Sequence, residues 1–132
     1  MKYYIGSLVA LILSFPLLAP TFFVKSNLLN SIAVFVIMCL IFIIAGIIYD
    51  FSLSFFKKQL TVFKKFALFS GIFWLIALVP IKYVHNNILS IFLVYPYTNI
   101  TSTYVIVYAF SGFIFGIMYS IVYRYISAFV YS

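Results

Sequence analysis

The chain has 132 residues, of which 67% are hydrophobic and only 7% charged, with a mean hydropathy of +1.28. A water-soluble domain of this size has no core large enough to hide so much apolar surface, so the composition selects a membrane protein. Asp50 is the sole acidic residue, and the formal charge of +7 calls for an anionic partner. For apolar spans flanked by lysines that partner is the headgroup layer of the cytoplasmic leaflet, and no soluble basic domain with interleaved aromatics is present to bind nucleic acid.

Four segments approach the roughly 20 residues of helix that a hydrocarbon layer requires. The first runs over about 3–24. Lys2 and the apolar stretch behind it look like a signal peptide, but the stretch is long, Pro20 follows Ala19 directly and no small-x-small cleavage site is present, so it reads as a retained span. Only Lys25, Ser26 and Asn27 separate it from the second span, about 28–49, which predicts an antiparallel pair. The third, about 66–84, is the shortest, with 16 residues between Lys65 and Lys82, and both lysines can snorkel to their own headgroup layer. The fourth runs over about 103–123. None of the four alternates apolar and polar residues as a barrel strand would, so the expected fold is all-α: four transmembrane helices in an up-down-up-down bundle forming a single domain. Pro16, Pro20 and Pro80 lie in or near the first and third spans and read as packing geometry.

Charge orients this arrangement. With four spans, both termini share a side with the second connection, and that side collects six of the eight basic residues: Lys2, Lys57, Lys58, Lys64, Lys65 and Arg124. The positive-inside rule makes it the cytoplasm, so the chain is expected to be N-in and C-in. In outline it resembles the many small four-span bacterial membrane proteins. Its excess of Phe, Ile, Tyr, Lys and Asn over Ala suggests an AT-rich genome and a plasma-membrane location in a bacterium.

Three features stand out on these spans. From Ser54 to Phe66, Lys57, Lys58, Thr61, Lys64 and Lys65 fall in one helical sector opposite Phe55, Phe56, Leu60, Val62, Phe63 and Phe66. That pattern describes a basic amphipathic connection whose lysines meet anionic lipid, or simply lysines that set topology. Second, Gly112, Gly116 and Ser120 repeat at spacing four on the last span, as Gly6, Ala10 and Ser14 do on the first. Small residues let helix backbones approach closely, so these two stripes are expected to form one packing seam between the first and last spans, or a surface for a partner or second copy. Third, an ionisable residue within a membrane is a functional hypothesis by default, which for Asp50 would be a proton or cation relay. Its place just after the second span favours instead an interfacial charge, solvated or paired with Lys57, Lys58 or Arg124.

The third connection, Tyr83 to Ser102, is oddly apolar around Ile88 to Tyr95 and suggests a short interfacial or re-entrant segment. His85 at its start has no second ligand nearby and reads as a wet interfacial histidine. Asn99, Ile100 and Thr101 match a glycosylation acceptor, which matters only in a eukaryote. Cys39, alone in an apolar run, reads as a small hydrophobe.

No carboxylate pair, nucleophile with base and acid, phosphate-cradling loop or metal cluster can be assembled from this sequence, so an enzyme is not expected and no cofactor is implied. The expected role is that of an accessory, regulatory or immunity-type protein that packs against a membrane partner, a second copy or lipid. The alternative is a small oligomeric transporter or holin-like pore, which should show a continuous polar face on at least one span.

Overall fold

A computed structural model describes residues 4–18, 28–56, 59–92 and 102–131, and all of it is built on helices. They are α1 (Tyr4–Leu18), α2 (Leu28–Phe56), α3 (Phe63–Phe92) and α4 (Ser102–Tyr131). The last three are long and apolar enough to cross a membrane. The described part of α1 has 15 residues, and the remainder of the expected first span lies outside the described residues.

The helices overrun the apolar segments from which they were expected. α2 continues seven residues beyond Tyr49 and α4 eight beyond Tyr123, while α3 starts three before Phe66 and ends eight after Val84. Hydropathy marks where lipid contact would end, whereas a helix ends where its backbone is capped or broken, and residues 50–56 contain neither glycine nor proline. Asp50, expected beyond the second span, is thereby inside α2. His85 and residues 88–92 of the expected re-entrant segment belong to α3, and Asn99 to Thr101 lie outside the described residues.

The stretch from Ser54 to Phe66 is a corner between two helices rather than one amphipathic helix. The amides of Gln59 and Leu60 both donate to the Phe56 carbonyl, at 2.9 and 3.1 Å, closing α2, and the amide of Phe66 donates to Val62 at 3.1 Å, opening α3. Its apparent periodicity comes from the last turn of one helix and the first of the next.

Each helix buries one stripe at spacings of three and four: Ser31, Val34, Met38, Phe42, Ala45, Tyr49 and Leu53 on α2, and Ser70, Trp74, Leu78 and Ile81 on α3. Contacts run in opposite senses along neighbours, with Phe15 against Phe35 and Gly6 against Gly46, then Phe42 against Trp74 and Tyr49 against Ser70, then Gly71 against Phe113 and Phe66 against Tyr123. α1 also touches α4, so the four close in cyclic order. Side chains alone bridge the diagonal from α2 to α4.

The two small-residue stripes do not meet as one seam. Gly112 and Gly116 lie against α3, where the carbonyls of Trp74 and Ser70 occupy the space a Cβ would need. Gly6 lies against Gly46 of α2. Helices joined in sequence pack along their length as neighbours, so each stripe serves its own hairpin. Ala10, Ser14 and Ser120 are buried, and the two serine hydroxyls donate within their own helices to Leu11 and Ile117.

Candidate functional site

One polar cluster sits where all four helices meet, and Asp50 is its centre. The stripe on α2 that carries Phe42, Ala45 and Tyr49 inward carries Asp50 with it, and the side chain is 0% exposed. Gly46, one turn earlier, lets α1 come close enough for the backbone of Gly6 to reach the carboxyl group. The Gly6 amide donates to Oδ2 at 2.8 Å, and the hydroxyl of Tyr123 on α4 donates to Oδ1 at 2.6 Å.

Gly6 lies near the described start of α1, and its amide has its acceptor on a neighbouring helix. Asp50 therefore ties the N-terminal part of α1 to α2, on the side of α1 where the helix dipole favours negative charge. Tyr119, one turn before Tyr123, donates to the Gly6 carbonyl at 2.7 Å, so a single residue of α1 is held from both sides. Across the cluster the Tyr49 hydroxyl and Ser70 Oγ of α3 are 2.5 Å apart. The rings of Tyr49, Tyr119 and Tyr123 pack with centroids 4.6 to 5.9 Å apart, which excludes lipid from the carboxyl group.

Beyond this cluster the interior is mostly apolar, with the hydroxyls of Ser14, Ser31 and Ser120 as buried exceptions among the described residues. Trp74 lies between Phe115 and Tyr119, at centroid distances of 4.8 and 5.0 Å, and its Nε1 has no hydrogen-bond partner among the described residues. Ring faces are the weak acceptors open to it. Further along α2 and α3, the buried residues Val34, Met38, Leu78 and Ile81 continue the apolar lining.

The other candidate residues lie outside this centre. Arg124, a proposed counter-ion of Asp50, is exposed and stands 5.3 Å over the ring of Phe63, tying α4 to the start of α3. Lys64 and Lys65 are exposed on the first turn of α3, and Lys57 and Lys58 lie outside the described residues. Asp50 makes no ion pair among the described residues; its partners are a neutral amide and a neutral hydroxyl. His85 is half-buried, with Nε2 closed to solvent and unpartnered among the described residues, which does not fit a wet interfacial histidine. Cys39 is half-buried on α2, and no three metal-ligating side chains gather among the described residues.

Gly46, Ser70 and Tyr119 were missing from the sequence reading, and Tyr123, which by its place near a span end reads with Tyr3, Tyr4, Tyr83 and Tyr104 as an aromatic of the membrane interface, is buried against Asp50 instead. A signal for the tyrosines does exist: they continue the inward stripe of Gly112 and Gly116 on α4, a helix that otherwise offers little to pair with the only carboxylate in the chain. No protein-family model, curated protein or solved structure matches the chain.

Proposed function

We propose that this chain is a multi-pass plasma-membrane protein without enzymatic activity, acting as an accessory, regulatory or immunity-type protein by packing against a membrane partner, a second copy or lipid. One observation carries this reading. The inward polar groups join the chain's own helices, while the outward faces along the spans are largely apolar, as with Ile44 and Ile47 on α2, Ile72 and Ile76 on α3, and Ile114 and Met118 on α4. A pore through one copy needs a continuous polar face, and the lining from Trp74 to Ile81 is a poor conduit for ions. Affinity purification in mild detergent tests the proposal: a co-purifying membrane protein or a stable homo-oligomer is the expected result. Single-channel conductance from the purified chain in a planar bilayer would replace it with the pore.

The orientation belongs to the same proposal: both ends of the chain and the segment from Phe51 to Lys65 face the cytoplasm and Lys82 to Ser102 faces outward, following the six basic residues on the cytoplasmic side. In a Cys39→Ala background, a cysteine at Ser26 is expected to react with an impermeant external reagent and one at Thr61 is not. Labelling of the Thr61 site in intact cells reverses the orientation.

Lys57, Lys58, Lys64 and Lys65 then stand against the anionic leaflet, each contributing about 1 kcal/mol near the surface before screening. Replacing all four by glutamine is expected to reduce the preference of the reconstituted protein for anionic over zwitterionic vesicles. An unchanged preference leaves these lysines with a topological role alone.

A further inference from the structure

We propose that Asp50 is a proton-binding site: its carboxylate takes one proton on Oδ1, and Tyr123 holds it by turning its hydroxyl from donor to acceptor. The two oxygens are not equivalent. Oδ2 faces the Gly6 amide, which can only donate, so a proton on Oδ2 would either point at another donor or leave Gly6 with a weaker hydroxyl-oxygen acceptor. Oδ1 faces a hydroxyl, which donates in one rotamer and accepts in another. The step balances simply: a hydronium ion gives up one proton, its O–H bond breaking to leave water as the Oδ1–H bond forms, and the Tyr123 hydroxyl hydrogen rotates away about its own C–O bond. The cluster passes from one negative charge to none.

The same geometry argues against a metal ion as the bound cation. Both carboxylate oxygens already face hydrogens, and a metal would have to displace the Gly6 amide and the Tyr123 hydroxyl together. Among the described residues, the titratable groups around Asp50 are Tyr119 and Tyr123 on α4 and Tyr49 on its own helix. α1 and α3 bring Gly6 and Ser70, and among the described residues no titratable side chain of theirs enters the cluster. Arg124 is engaged over Phe63, and Lys64 and Lys65 are exposed.

α1 is the element on which the proton acts. With Asp50 ionised, its bond to Gly6 is charge-assisted and its charge meets the α1 dipole; with Asp50 neutral, only an ordinary hydrogen bond remains.

Because Asp50 is the only acidic side chain, infrared spectroscopy reads it directly. The full chain, produced with aspartate carrying ¹³C at its side-chain carboxyl and reconstituted in phosphatidylcholine vesicles, is titrated while circular dichroism verifies that it stays helical. The expected result is a protonated-carboxyl C=O band that moves with the isotope, is present at low pH and is lost at high pH. A labelled band absent at every pH, or unchanged at every pH, overturns the proposal, and this arm needs no substitution. Folded Tyr123→Phe is expected to shift the frequency of that band, and an unshifted band removes Tyr123 as the group that holds the proton.

Discussion

Asp50→Leu is expected to lower stability by about 3–5 kcal/mol, because it takes the buried carboxylate acceptor away from both the Gly6 amide and the Tyr123 hydroxyl, at about 1–3 kcal/mol for each bond. Asp50→Asn should cost less. Its carbonyl oxygen can still accept from Gly6, and its amide group can donate to Tyr123 once that hydroxyl turns. Unfolding in mixed micelles with increasing dodecyl sulfate measures both, and the expected order of stability is native, Asn, Leu. Tyr123→Phe removes one of the two donors and should fall between native and Asp50→Leu. In the double variant Asp50→Leu, Tyr123→Phe the two substitutions remove the same hydrogen bond, so the combined loss should be smaller than the sum of the single losses. A leucine variant as stable as the native protein would show that the cluster does not hold the helices together.

Gly116→Ala carries the second large effect, an expected loss of about 3 kcal/mol from overpacking. Its new Cβ would fall on the Ser70 carbonyl and lie 2.6 Å from Gly71 Cα, and both are backbone atoms of a packed helix that cannot rotate aside. α3 and α4 would have to separate along their length, forfeiting the dispersion contacts that drive association between spans. Gly71→Ala is the internal control. Its Cβ would meet the Phe113 ring at 2.8 Å, and a half-buried side chain can yield, so this change should cost clearly less. Equal losses in the two variants, read from the same unfolding titration, would mean that the close approach at Gly116 is not what limits the packing.

How much of this was legible in the sequence depends on the residue. The small stripes could be seen, but not what they face: Gly6 and Gly116 look alike in the sequence, yet one makes room for Gly46 of α2 and the other for Ser70 of α3. Asp50 was visible as a drop in hydropathy and was read as the end of a span. The helix continues past it, and the polar partners that receive it lie 44 residues away at Gly6 and 73 away at Tyr123.

Composition by itself determined that the chain belongs with membrane proteins and that its long apolar segments are helical, because a backbone in hydrocarbon must satisfy its hydrogen bonds internally and these segments do not alternate as barrel strands do. It could not determine which side of each helix turns inward. In a soluble protein polar residues mark the outer face, but here the buried Val34, Met38 and Phe42 of α2 are no more apolar than the exposed Ile32, Val36 and Leu40 beside them. Lipid and protein interior favour the same residues, so the inward face, and with it the meeting of Asp50, Gly6 and Tyr123, was decided only by how the helices fit against one another in three dimensions.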